Sequence, residues 1–256
     1  MMITAFLLFA IATCIGMVSA ALGIGGGSLM VPFLVFLVGL DVKRAIAVSL
    51  FSVVSTSLSA TIVYSRRELV NFKYGSLLEI FSVVGAIVGS NIAIMVDERL
   101  LKIAFSMILA YSAYRLLRKN KNKTLLKNSV KRSLTLSSLG AFAAGSLSGM
   151  LGIGGGVLKV PIMVLLLGLP IKAAIATSEF MISLTASTAA LTYYVRGYVN
   201  PYFAVAAIFG SFIGASVGST VAVKTKPKIL RIMLSALLII FSTTMILSCL
   251  GVEIWS

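Results

Sequence analysis

Long apolar runs alternate with short polar breaks along this sequence, and the pattern occurs twice. Apolar segments fall at about 3–22, 29–40, 45–64, 75–96 and 100–117, then at about 134–151, 158–169, 174–195, 203–223 and 229–250. The longer segments have the roughly 20 residues that a helix needs to cross a bilayer. Segments 29–40 and 158–169 are too short, since a 12-residue helix covers ~18 Å of a ~30 Å hydrocarbon core. Each short segment follows a glycine-rich run. Together they predict either a crossing completed by extended glycines or a re-entrant pair.

The two halves are copies. Residues 23–32 read GIGGGSLMVP and residues 152–161 read GIGGGVLKVP, an offset of 129 residues. The offset holds without a gap from Gly16/Gly145 to beyond Asn71/Asn200, and 17 of the 27 positions from 23 to 49 are identical to their partners. An internal duplication of this length sets the architecture before any local pattern does. It divides the chain into a first transmembrane repeat (1–117), a basic linker (118–133) and a second repeat (134–256).

Composition supports a membrane protein. The chain is 59% hydrophobic and 11% charged, where a soluble domain carries about a quarter charged residues. Its formal net charge of +15 is concentrated in short loops, which suits loops beside an anionic leaflet better than nucleic-acid binding. There is no histidine, so His bases, His-ligated metals and haem are excluded. Cys14 and Cys249 lie in apolar segments and read as small buried residues. Val18-Ser19-Ala20 loosely matches a signal-peptidase site. No basic stretch precedes it, so 3–22 reads as a retained membrane segment.

The basic residues also choose between the two readings of the short segments. With five segments per half, the halves have opposite orientations. The linker (Arg118 to Arg132) then shares a side with Arg66, Arg67, Lys73, Lys172, Lys224, Lys226, Lys228 and Arg231. Lys43, Arg44, Arg99, Lys102 and Arg196 keep the other side. That is a positive-inside bias. Four parallel spans per half erase it. The expected fold is therefore an all-α polytopic membrane protein of two inverted repeats, about five helical segments each, with Gly-rich broken helices and 8–10 membrane segments. Trp255 reads as an interfacial anchor.

Interrupted segments at matching places in two halves point to a transporter's midplane site. Non-helical backbone inside a membrane is tolerated where it lines a cavity or is buried in protein. Gly25, Gly26 and Gly27, with Gly154, Gly155 and Gly156, lead into helix N-termini, with Ser28 available as N-cap and Pro32 and Pro161 suited to the first turn. Free N–H groups and the positive helix end make an anion site. The alternative is that these glycines only let helices pack closely. Lys159, which replaces Met30, is an ionisable residue inside an apolar stretch and a candidate for pairing with an anionic substrate or with Glu179; the bland reading is a snorkelling lysine. Glu179 replaces Leu50 and is a candidate proton carrier, or else a headgroup-level carboxylate near Lys172. Glu79 is a weaker candidate. The matched Ser49 and Ser178, and less so Thr56 and Thr185, are candidate oxyanion contacts or bond their own backbone. GAIVG at 85–89 and GASVG at 214–218 have the GxxxG spacing of packed helices. Asn71 and Asn200 read as turn residues. No nucleotide fingerprint, metal cluster or nucleophile–base pair is present, so neither an enzyme nor a bound cofactor is expected.

GIGGGSLMVPFL (23–34), GIGGGVLKVPIM (152–163), AIAVS (45–49) and AIATS (174–178) resemble the sulfite exporter TauE/SafE family of membrane permeases. The resemblance covers essentially the whole chain. It implies secondary transport of a small anion, such as sulfite or an organosulfonate, across the prokaryotic cytoplasmic membrane. The family's usual description has about eight spans, against the ten segments counted here. The expected partners are the anion, the lipid bilayer and H+ as coupling ion, with a homodimer left open. An anion channel and a non-transporting scaffold are the rival functions.

Overall fold

A computed structural model describes residues 2–36, 38–92, 110, 113–114, 117, 130–152 and 154–249. The expected segment 100–117, most of the linker and Trp255 lie outside or largely outside these residues. The described residues form helices α1 (Met2–Leu22), α2 (Gly27–Phe36), α3 (Val42–Ser65), α4 (Phe72–Ile92), α5 (Val130–Leu151), α6 (Gly156–Leu165), α7 (Ile171–Val195), α8 (Pro201–Lys224) and α9 (Pro227–Cys249). Helices α3, α4, α7 and α8 are long and apolar enough to cross a membrane. The matched Asn71 and Asn200 start α4 and α8. Their side chains accept the N–H groups of Tyr74 and Tyr202, which would otherwise be orphaned at the helix start.

On α8 small residues face inward and large apolar residues face outward. Along α8 the buried positions are Ala204, Ala207, Gly210, Ser211, Gly214, Ala215, Gly218, Ser219 and Ala222. Phe209, Phe212, Ile213, Val217 and Val221 are exposed. In lipid the apolar effect does not drive helices together, so close backbone packing of small residues does. The GxxxG runs carry it. Gly214 and Gly218 abut the backbone of Thr13 and Met17 in α1, and Gly85 and Gly89 abut Phe142 and Ser146 in α5. A side chain at any of these would strike backbone. The two interfaces, α1 with α8 and α4 with α5, exchange under the offset of 129.

The contacts also fix helix directions. Residue numbers rise together along α1 and α8, as they do along α4 and α5. Ser55 and Ser59 donate to the carbonyls of Ile208 and Phe212, so α3 runs with α8. In contrast, Lys43 at the start of α3 lies over the Tyr198 ring beyond the end of α7. Val53 and Ile182, at the middles of these helices, flank the same glycine. Helices α3 and α7 are therefore antiparallel. Since α1 and α3 share a direction, α2 must carry the chain back between them. It does so along α1, with Gly26 beside Ser19 and Ile15, and Met30 and Leu34 in one cluster with Leu8 and Ala12. Helix α6 returns in the same way along α5, from Gly155 beside Ser148 to Ile162 beside Gly140. The short segments thus act as returning half-spans.

Charge sorts with these directions. Lys172 donates to the Val223 carbonyl, and the Asn71 N–H donates to Thr177. Arg66, Arg67, Lys73, Lys172, Lys224, Lys226 and Lys228 thus gather at one end of the bundle. Lys43, Arg44 and Arg196 lie at the other, where Arg196 donates to Asn91 at the end of α4.

Candidate functional site

The site is built from the two glycine runs. Gly23 ends α1 with φ +74°, and its N–H returns to the Ser19 carbonyl. Gly25 and Gly26 follow at φ +77° and +90°. Gly152, Gly154 and Gly155 repeat this at +69°, +81° and +73°. Only glycine adopts such a series without strain. The result is a reversal of direction within a few residues, deep in the protein. There the two runs cross: a Cβ added to Gly154 would lie 3.9 Å from the Gly25 Cα, and both glycines are flanked by Val53 and Ile182. Val53 and Ile182 are themselves related by the offset.

Serines tie the crossing together reciprocally. Ser178 Oγ donates to the Gly23 carbonyl at 2.9 Å. Its counterpart Ser49 reaches the Gly152 carbonyl at 3.4 Å and that of Gly27 at 3.5 Å, which is weaker. Each serine holds the other half's glycine run. Ser178, Ile182 and Thr185 lie on one face of α7, at spacings of four and three residues. Ser49, Val53 and Thr56 form the matching face of α3.

Two expectations change at the helix starts. Ser28 does not cap α2: the N–H groups of Leu29 and Met30 return to the Gly26 carbonyl, so Gly26 is the cap and Ser28 falls within the first turn. Its buried Oγ has no hydrogen-bond partner. Gly155 caps α6 in the same way. The glycine turn starts each helix earlier than the prolines suggest. Pro161 therefore lies inside α6 rather than in its first turn, and the Val157 carbonyl loses its intrahelical donor. Gly27 and Gly156 are the first helical residues. A side chain on Gly156 would strike Gly23 and Ile182.

Sequence reasoning missed Ser19 and Ser148. Both are buried, and neither hydroxyl has a partner. Ser19 Oγ would lie 3.1 Å from a Cβ on Gly26, and Ser148 Cβ 3.2 Å from one on Gly155. Each stands beside the capped N-terminus of its own short helix. The available signal was that they match across the repeat.

Lys159 pairs with Glu79, not with Glu179. Its ammonium lies 3.0 Å from Glu79 Oε2 and 2.5 Å from Thr185 Oγ1. Thr185 also donates to the second Glu79 oxygen, and its hydroxyl lies 3.2 Å from that of Ser82. Lys159 and Glu79 are 1% and 3% exposed. Breaking a buried pair by removing one partner typically costs about 3–5 kcal/mol. The pair joins α4 of the first half to α6 of the second. It sits one turn of α7 beyond Ile182, and so beside the glycine crossing. Glu179 is fully buried near the Gly25 backbone and Tyr64, with no cation beside it among the described residues.

The chain is thus a polytopic helical membrane protein with two broken helices that meet inside it. It belongs to the sulfite exporter TauE/SafE family, whose model matches residues 8–245. It is 30% identical to "Probable membrane transporter protein YunE" of Bacillus subtilis, over 90% of this chain and 93% of that protein. A second "Probable membrane transporter protein", from Methanocaldococcus jannaschii, is 28% identical over 94% and 95% of the two chains. "Sulfite exporter TauE/SafE family protein 5" of Arabidopsis thaliana is 28% identical over 45% of this chain and 26% of its own. No solved structure matches.

Proposed function

We propose that the protein is a secondary transporter that exports a small anion, a sulfur oxyanion or organosulfonate such as sulfite, by alternating access. The observation that carries this reading is the convergence of two helix N-termini on one glycine crossing. Each N-terminus is equivalent to roughly half a positive charge, with backbone N–H groups that have no acceptor within the helix. Unpartnered Ser19, Ser28 and Ser148 add hydroxyls there. Gly25, Gly26, Gly27, Gly154, Gly155 and Gly156 form the cradle, Ser49 and Ser178 hold it, and Lys159 supplies charge. The family resemblance supports the anion class.

Antiparallel α3 and α7, together with contacts that exchange under the offset, support an inverted-repeat architecture. The end that gathers Arg66, Lys172 and Lys226 is then cytoplasmic. Access alternates as the two halves rock about the crossing. Glu179, buried without a cationic partner, is the proton-coupling group.

The test is efflux from proteoliposomes loaded with sulfite, sulfate, thiosulfate or a short sulfonate, with and without a pH gradient. Saturable efflux and counterflow of one of these is expected, and Glu179→Gln should lose the gradient response. Single-channel currents instead would mark an anion channel. An absence of flux for every anion would overturn the reading.

A further inference from the structure

The buried ion pair is one-sided. Lys159, Glu79, Thr185 and Ser82 correspond across the repeat to Met30, Ile208, Thr56 and Ser211. The hydroxyl positions are kept and both charges are replaced by apolar residues. Met30 is fully buried in an apolar cluster with Leu8, Leu34 and Ala207. The fold therefore accommodates apolar side chains at these places, and the pair is not needed to build a half.

A structural tie of this kind is often no better than a well-packed apolar replacement. The pair's position suggests more. Lys159 is on the second turn of α6, whose N-terminus enters the crossing. Glu79 is on α4 of the other half. The bond between them runs from ammonium to carboxylate across the halves, braced by Thr185 on α7. Glu79 is met by Lys159 from α6 and by Thr185 from α7. Among the described residues, only Lys159 is bonded to Glu79 as a counter-ion. An anion entering the crossing competes with this carboxylate for the ammonium's charge.

We infer that Glu79 is an internal counter-anion, which holds Lys159 while the carrier is empty and yields it to the transported anion. This rests on the anion-transport reading above. Lys159 is then never left unpaired in a low-dielectric site, which would be costly. Substrate entry also breaks the tie between α4 and α6, and so links occupancy to movement of the halves. Glu79 sets affinity by competition.

The experiment is sulfite counterflow in proteoliposomes for wild type, Glu79→Gln and the double variant Lys159→Met/Glu79→Ile, which copies the repeat counterparts Met30 and Ile208. Removing the competitor should lower half-saturation for Glu79→Gln by on the order of tenfold, as for a lost charge-assisted bond. Its maximal rate should fall because release slows. The double variant, checked for monodispersity in detergent, should fold but lose saturable counterflow. Wild-type half-saturation in Glu79→Gln would overturn the inference, as would wild-type counterflow in the double variant. In either case the transport reading would stand. Absence of sulfite counterflow in wild type would overturn both for this anion.

Discussion

Gly154→Ala probes the crossing most sharply. The glycine sits at φ +81°. An alanine there carries a left-handed penalty of roughly 1–2 kcal/mol. Its methyl would also lie 2.9 Å from Val53 Cγ1 and 3.2 Å from Ile182 Cγ2. Overpacking a filled site adds roughly 1–3 kcal/mol. Gly168→Ala is the matched control. It has φ +68° and nothing within 4 Å of the added methyl, so it meets the backbone penalty alone. The two variants should differ by about 1–3 kcal/mol in stability, read as a gap of several degrees in melting of the purified protein in detergent. Transport should fall to background in Gly154→Ala, because Val53 and Ile182 must move apart and carry Ser49 and Ser178 with them. Gly168→Ala should transport like wild type. Equal melting and equal transport in the two variants would refute the claim that close approach of the runs is what this glycine provides.

The serine ties should be unequal. Ser178→Ala strands the buried Gly23 carbonyl and should cost about 1–3 kcal/mol, whereas Ser49→Ala, which loses only bonds of 3.4 and 3.5 Å, should cost less; thermal melts of both variants decide this, and a larger loss from Ser49→Ala would contradict the geometry. In a background lacking the two native cysteines, Arg66→Cys and Lys226→Cys should react with an impermeant thiol reagent from one side of the membrane and Lys43→Cys from the other. Labelling of Arg66→Cys and Lys226→Cys from opposite sides would contradict the helix directions.

Much of this was legible because the chain is written twice. The offset aligned Gly25 with Gly154 and Ser49 with Ser178, and the structure brings both pairs to one place. The basic residues of the described loops anticipated which helix ends gather together. The helix starts were less legible. Ser28 and Pro161 have strong local preferences for caps and first turns, but the left-handed Gly26 and Gly155 begin the helices before those preferences apply. The partner of Lys159 was not legible either. Glu79 is 80 residues away in sequence, and its repeat counterpart is Ile208, so neither proximity nor duplication pointed to it. Glu179 was the nearer acid along the chain. It lies on the same helix as Thr185 but about a turn and a half earlier, beside Gly25 instead. Ser19 and Ser148 escaped notice because a serine near a helix end has many ordinary uses. Only the turn back at Gly26 and Gly155 gives them their place.

The central claim is that the anion is held at the glycine crossing. The most direct measurement is the melting temperature of purified wild type, Gly154→Ala and Gly168→Ala, titrated with the anion that shows saturable efflux. A ligand that binds the folded state alone stabilises it by about 2.7 kcal/mol at a hundredfold excess over its dissociation constant. The account predicts a rise that grows with the logarithm of anion concentration for wild type and Gly168→Ala, with none for Gly154→Ala. An equal rise in all three proteins would place the anion elsewhere and contradict it.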